Sequence, residues 1–170
     1  HVTDPHGNTS ETQYHSFYGY AEKAINALGH TSTLTVHPAW GQVTETSDPN
    51  GAKTVTSYDA YGRLTDVWLA DQDATSGPAS TVFEYHPEAR PAYVQSRQLT
   101  DEGSSTYLDS WTYVDGFGRT IQLRSSAPNN KRAVTSQQYN NLGQSAYQST
   151  VYELNGTPGG GYVAPNWSTQ

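Results

Sequence analysis

Five carboxylates lie in or next to runs of strand-forming residues, where two facing acids could serve as the acid–base pair of a glycosidase. These acids are Glu11, Glu45, Asp66, Glu84 and Glu153. A linear sequence does not reveal which side chains face each other, so spacing selects no pair. A solvated strand face explains all five acids without any chemistry. We therefore assign no catalytic residue among them.

Six histidines could contribute ligands to a metal ion, and they stand at His1, His6, His15, His30, His37 and His86. None has the His-x-x-x-His or His-Glu-x-x-His spacing that places two ligands on one face of a helix. The chain contains no cysteine, which removes disulfides, thiol catalysis and cysteine-based zinc sites. The sequence therefore predicts no metal site and no cofactor.

Other motifs for catalysis or nucleic-acid binding are missing from the sequence. There is no Gly-x-Ser-x-Gly nucleophile elbow, and the glycine-rich segment 155–162 lacks the Lys-Ser/Thr pair of a phosphate-binding loop. The net charge is −7 and the nine Lys and Arg residues are scattered, whereas a nucleic-acid interface needs them clustered on one face. We expect no enzyme activity, no nucleic-acid partner and, without a long apolar run, no membrane insertion.

Another group of acidic and amide residues recurs in one spacing, with Asp or Asn followed by Gly three positions later. Asp or Asn at the first position of a type I turn accepts backbone hydrogen bonds, and glycine at the fourth position adopts the left-handed backbone. The spacing therefore predicts β-hairpin loops, a structural role. The predicted turn residues are Asp4, Gly7, Asn26, Gly29, Asp48, Gly51, Asp59, Gly62, Asp115, Gly118, Asn140 and Gly143.

Two interleaved series of glycines repeat with a period of about 22 residues. The first series, with steps of 22, is Gly7, Gly29 and Gly51. The second, with steps of 22 and 21, is Gly19, Gly41 and Gly62. Weaker copies of the turn occupy 16–19, 38–41 and 86–89. Half a period is the length of one strand plus one turn, which is typical of a repeat architecture.

The runs between the turns have the composition and alternation of antiparallel strands. In segment 30–36, Leu34 and Val36 share one face while threonines occupy the other. Segment 21–28 is rich in helix-forming residues, but it ends in a turn that is in register with the period, so we predict a strand there. The predicted fold class is all-β, built from repeated antiparallel β-hairpins.

We predict one continuous array over residues 1–170. Its period is regular over 1–69, its hairpins carry insertions over 70–154, and a Gly/Pro loop and tail follow over 155–170. The chain begins at His1 and contains no methionine, so we expect it to be part of a longer polypeptide.

The segment Tyr58-Asp-Ala-Tyr-Gly-Arg-Leu-Thr65 resembles the core of a YD repeat, the unit of Rhs-type proteins. Segments 114–122 and 139–144 resemble further copies, with Val114, Asn140 and Gln144 departing from the motif. The resemblance implies a curved or spiralling sheet that forms part of a larger shell. The implied shell is similar to those of insecticidal toxin complex B–C and SpvB-like proteins, and of teneurins.

The composition fits a sheet that encloses little. Apolar residues make up 34% of the chain, and 13 tyrosines outnumber 3 phenylalanines. Aromatic side chains that stack on a ligand would be sought first at Trp40, Trp68, Trp111 and Trp167. Three Asn-x-Ser/Thr sequons, which suggest a secreted or cell-surface protein, stand at Asn8, Asn155 and Asn166.

These observations together favour a structural segment of a YD-repeat β-shell that encloses cargo, such as a toxin, or builds an extracellular assembly. The expected partners are the rest of the same shell, or further copies that pair through sheet edges, and an enclosed polypeptide. The alternative is an extracellular module that binds a glycan or a protein through exposed Tyr and Trp side chains.

Overall fold

The computed structural model describes residues 1–70, 72–101, 103–155 and 161–165, and these residues form fourteen β-strands and no helix. They divide into two compact units, His1–Ser80 and Thr81–Gln170. The single continuous array predicted from the sequence stays a prediction. The described residues include no helix with the length and hydropathy of a membrane span.

The first unit is a meander in which each strand pairs antiparallel with the next along the chain. Its strands are β1 Val2–Thr3, β2 Thr9–Tyr14, β3 Ala21–Ile25, β4 Thr31–Val36, β5 Val43–Ser47, β6 Lys53–Tyr58 and β7 Leu64–Trp68. In β4, Leu34 and Val36 are half-buried while Thr33 and Thr35 are exposed, as the alternation predicts. Segment 21–25 is a strand despite its helix-forming residues, because turns on both sides fold it back onto its neighbours.

The second unit contains longer strands of the same kind. They are β8 Thr81–His86, β9 Ala92–Leu99, β10 Tyr107–Val114, β11 Thr120–Ala127, β12 Lys131–Tyr139, β13 Ser145–Gln148 and β14 Tyr152–Asn155. Strands β8 to β12 pair antiparallel in chain order. The nine-residue strand β12 then pairs with β13 at one end and with β14 at the other.

Buried side chains are distributed unequally between the units. In the described part of the first unit, Ala79 and Ser80 are the buried residues, each 5% exposed. The second unit buries Trp111, Tyr113 and Val134. It also buries polar side chains, which are Gln122, Arg124, Arg132, Ser136 and Ser149. The predicted all-β fold of antiparallel hairpins is confirmed, and the second unit has a partly polar core.

Candidate functional site

The Asp/Asn-x-x-Gly turns share one set of hydrogen bonds. In the first of them, the Gly7 amide donates to the Asp4 carbonyl at 3.0 Å, while Asp4 Oδ1 accepts from the amides of His6 and Asn8 at 2.8 and 2.9 Å. The same side-chain oxygen accepts two amides in the turns that begin at Asn26, Asp48, Asp59, Asp115 and Asn140. The glycines of the six turns have φ between 75° and 84°. Hydrogen bonding and backbone conformation within the turns therefore account for these residues without a catalytic role.

Two of the turns add an arginine directly after the glycine. Arg63 Nε lies 2.7 Å from Asp59 Oδ2, and Arg119 Nε lies 2.8 Å from Asp115 Oδ2. The side-chain hydrogen bond from Arg119 is the main cause that lowers the pKa of Asp115, so this carboxylate stays ionised. Each arginine therefore links the residue after the turn to the aspartate at its start.

Tyrosines of the repeat tie neighbouring strands together. The Tyr58 hydroxyl on β6 donates to the Val43 carbonyl at the start of β5, at 2.7 Å. The Tyr139 hydroxyl on β12 donates to the Thr120 carbonyl at the start of β11, at 2.9 Å. Each tyrosine therefore links two strands beside the turn that follows it.

Turns at the same sheet edge also contact each other. Each unit has a row of turns at one end of its strands, and we call this row the YD edge of the unit. It carries turns 15–19, 37–41 and 59–62 in the first unit and turns 115–118 and 140–143 in the second. In the first unit, Gln42 Nε2 donates to the Gly62 carbonyl at 3.1 Å. A Cβ atom built at Gly62 would lie 3.4 Å from Cγ of Trp40. Neighbouring turns on the YD edge therefore contact each other directly, in addition to being connected through the strands. We call such a turn-to-turn contact a lateral joint.

A similar joint lies at the YD edge of the second unit. The Arg119 guanidinium lies 4.4 Å from the centroid of the Tyr139 ring, a cation–π distance. A Cβ atom at Gly143 would lie 3.3 Å from Arg119 Nη1. Arg119 therefore connects its own turn to the next turn along this edge.

Histidines replace the aspartate in two turns that the sequence marked only as weak copies at 16–19 and 38–41. These turns are one residue longer, because the Gly19 amide donates to the His15 carbonyl at 2.9 Å and the Gly41 amide to the His37 carbonyl at 2.8 Å. The imidazole Nδ1 atoms accept from the turn amides. The ring of His37 stacks on Trp40 with centroids 4.2 Å apart. The signal for this role was the spacing of 22 residues between the two histidines.

Large apolar side chains project from the YD edge of the first unit. Phe17 and Tyr61 are each 83% exposed, and Tyr18 and Trp40 are 52% and 41% exposed. Successive turns on the YD edge are separated by two strands, or about 10 Å. The edge therefore displays a row of aromatic rings at regular intervals.

The four tryptophans singled out in the sequence lie in different environments. Trp40 belongs to the exposed row, whereas half-buried Trp68 donates through Nε1 to the Gly77 carbonyl at 3.2 Å. Trp111 is only 4% exposed, so it is a core residue and not an exposed stacking ring. Trp167 lies outside the described residues.

The sequons can be placed in part. Asn8 is exposed, and its side-chain amide donates to Asp4 Oδ2 at 2.8 Å. Asn155 ends β14, and Asn166 lies outside the described residues.

Three of the five strand carboxylates form ion pairs with Lys or Arg side chains, and a fourth lies near a histidine. Glu45 lies 2.8 Å from Lys53 Nζ, Glu153 lies 2.5 Å from Lys131 Nζ, and Glu84 pairs with Arg97. Glu11 lies 3.5 Å from His1. Asp66 is half-buried on β7, opposite Ser57. In the described ranges, no group of three or more His, Asp or Glu side chains is arranged to hold a metal ion.

A polar network fills the core of the second unit. Gln122 Nε2 donates to Ser136 Oγ and to the Val163 carbonyl, both at 2.9 Å. Arg124 donates from Nε to Gln122 Oε1 at 2.7 Å and from Nη1 to the Gly161 carbonyl at 2.8 Å. Sequence reasoning missed this network, because polar residues that alternate along β11 and β12 read as a solvated face.

Residues 37–67 match the RHS Repeat family. No curated protein matches the chain significantly. The match covers two of the turns on the YD edge, including the Asp59–Arg63 turn, and it confirms the resemblance to Rhs and YD-repeat proteins.

Solved structures of toxin complexes have a similar fold. The chain aligns to the structure of TcdB2-TccC3 with a TM-score of 0.74 and 16% identity, covering 86% of this chain and 10% of that chain. For TcdB2-TccC3 without its hypervariable C-terminal region the values are 0.71, 13%, 86% and 12%. For TcdB2-TccC3-Cdc42 they are 0.73, 13%, 86% and 12%. The chain therefore spans about a tenth of the solved chains that it matches, and this likeness concerns the fold.

Proposed function

We propose that this chain is a structural, non-catalytic segment of a YD-repeat β-shell that encloses a polypeptide cargo such as a toxin. The observation that carries the proposal is the lateral joining of YD turns in a fold similar to that of TcdB2-TccC3. A wall needs neighbouring hairpins that hold each other without a thick core. Turn-to-turn contacts supply that cohesion at the edge of the sheet.

The acidic residues support a structural role over a catalytic one. The turn aspartates accept hydrogen bonds from backbone amides, and three of the strand carboxylates form ion pairs with Lys or Arg. Each group therefore has a partner that explains its presence. The partners that fit a wall are the rest of the same shell, or further copies paired through sheet edges, in a secreted or cell-surface setting.

Limited proteolysis of the natural polypeptide that carries this segment would test enclosure. We expect an internal fragment that resists the protease under native conditions and is cut after denaturation. A variant that removes lateral joints, Gln42→Ala combined with Arg119→Ala, should make this fragment cleavable. Leu28→Ala, at an exposed turn of the opposite edge, is the matched control and should leave it protected. Uniform cleavage of the unmodified polypeptide would rule out an enclosed cargo.

The aromatic row on the YD edge of the first unit favours a second candidate function, the binding of an extracellular glycan. Rings with exposed faces stack on sugars, and the four rings of this row are 41% to 83% exposed. Pull-down on insoluble polysaccharides should retain the chain and lose it in the variant Trp40→Ala, Tyr61→Ala. Leu28→Ala again serves as the control. Equal retention of all three proteins, or of none, would remove this candidate.

A further inference from the structure

Two arginines share the buried face of the second unit. In the pairing of β11 with β12, Arg124 lies opposite Val134 and Arg132 lies opposite Ser126. Residues two apart on a strand point to the same face, so the two arginines are diagonal neighbours there. Arg124 is 2% exposed and Arg132 is 9% exposed. The sheet therefore brings two cationic side chains together in its core.

Arg132 has donors that no acceptor among the described residues uses. Its Nη2 atom donates to the Asn155 carbonyl at a long 3.3 Å. Its Nε and Nη1 atoms are buried, and they have no hydrogen-bond partner among the described residues. These two atoms carry three of the five N–H groups of a guanidinium. Buried donors left in this way indicate a bound water or ion.

Among the described residues, no carboxylate forms an ion pair with Arg132. Glu153 is on the neighbouring strand β14, but it belongs to the opposite face, where it pairs with Lys131. Asp109 lies two strands away from Arg132 and accepts from Gln95 Nε2 at 3.2 Å. The groups facing the arginines are tyrosines, because Tyr113 packs against Arg124 with its ring centroid at 5.0 Å and Tyr152 lies opposite Val134.

The two cationic side chains of this face influence each other. Burial lowers the pKa of the Arg124 guanidinium, and the charge of Arg132 acts in the same direction. Replacing both side chains by apolar ones would avoid the cost of desolvating two like charges. A ligand of opposite charge would explain why the face has arginines.

We propose that this face binds a small oxyanion, a carboxylate or a phosphate, at the guanidinium group of Arg132, on the face that it shares with Arg124. Planar guanidinium groups donate parallel hydrogen bonds to such oxygens. Tyr152 and Ser136, whose hydroxyls share a hydrogen bond of 3.1 Å, lie on the same face and supply further donors. The anion accepts from Nε and Nη1 of Arg132 and offsets the charge of this side chain.

Thermal unfolding of the full chain tests the site with inorganic phosphate and acetate as probes, against chloride at equal ionic strength. A hundredfold excess over the dissociation constant should raise the unfolding midpoint by roughly 5–10 °C, in a saturable manner. The general effect of an excluded salt grows without saturation. The anion that saturates at lower concentration identifies the ligand class.

The variants Arg132→Gln and Arg90→Gln each remove one arginine charge, the first from the buried face and the second from an exposed loop. Arg90 is exposed and donates to carbonyls of its own loop, so Arg90→Gln should keep the saturable shift. Arg132→Gln should lose it. The same saturable shift in both variants, or none in the unmodified chain with either anion, would overturn the proposal.

A crystal grown in selenate gives a readout that does not depend on the folding of a variant. We expect an anomalous peak within hydrogen-bond distance of the Arg132 guanidinium. Arg132→Lys, which keeps the charge but loses the planar fork, should still fold and should weaken anion binding at least tenfold by calorimetry. A crystal without that peak would show that the buried donors bind water.

Discussion

Both units are built from the same antiparallel hairpin, but they bury their side chains to different degrees. In the first, strands of two to six residues carry side chains that are mostly half-buried, and the 22-residue period is regular. In the second, strands of up to nine residues surround a core that contains Trp111, Val134 and two arginines. Regular repeats are thus compatible with a thin sheet held by turns and backbone pairing. Longer strands with insertions allow one face to be covered and side chains to be buried.

The largest effect should come from truncating the core of the second unit. Trp111→Ala removes a ring that is 4% exposed and should lower the free energy of unfolding by about 3–5 kcal/mol. Trp40→Ala in the first unit, at an exposed turn, should cost about 1 kcal/mol. Urea unfolding of the two variants compares the units directly. Equal losses would show that burial does not distinguish them.

A smaller effect is expected from the turn glycines. Gly51→Ala forces a φ of 84° on a side chain that meets no neighbour, and should cost about 1 kcal/mol. Gly62→Ala adds a Cβ atom 3.3 Å from Gln42 Nε2 and 3.4 Å from Trp40, so its cost should reach roughly 2 kcal/mol. Denaturant midpoints measure the difference, which isolates the lateral joint from the backbone strain. Identical midpoints would argue against a tight joint.

The tyrosine links should contribute less. Tyr58→Phe and Tyr139→Phe each remove a hydrogen bond to a carbonyl of the adjacent strand, in the first and second unit respectively. Each should cost about 0.5–1.5 kcal/mol. Tyr61→Phe, in an exposed turn, is the matched control and should be neutral within a few tenths of a kcal/mol. A loss in the control as large as in the two variants would contradict the linking role.

The smallest effect concerns an exposed loop of the first unit and depends on pH. Hydrogen bonds from Ser76 and then Thr75 lower the pKa of Asp73 to about 2. Because the pKa is lower in the folded chain than its value of 3.8 without these bonds, the stabilisation is complete above about pH 4 and is lost as the pH falls through 2. Asp73→Asn should therefore be less stable than the unmodified chain at pH 6, with the gap closing towards pH 2. A gap independent of pH would show that ionisation of Asp73 does not stabilise the fold.

The aromatic row illustrates how far sequence reasoning reached at the candidate site. Trp40 and Trp111 were chosen for the same reason, yet one lies on an exposed edge and the other in a core. Phe17, Tyr18 and Tyr61 form most of the row, and the sequence pattern identified none of these three positions. The residue type identifies a ring that could stack on a ligand, but exposure depends on which strand or turn carries it.

Local signals in the sequence are enough to predict the turns and hence the order of the strands. An Asp or Asn side chain reaches amides only two and four positions away, and a glycine takes up positive φ without help from distant residues, so both signals are local. Strand alternation is local as well, and it defines two faces. Which face becomes buried is decided by the tertiary structure, since Gly161 and Val163 lie across β11 and cover Gln122 and Arg124. The polar core and its two arginines depend on that long-range contact, which no short stretch of the sequence encodes.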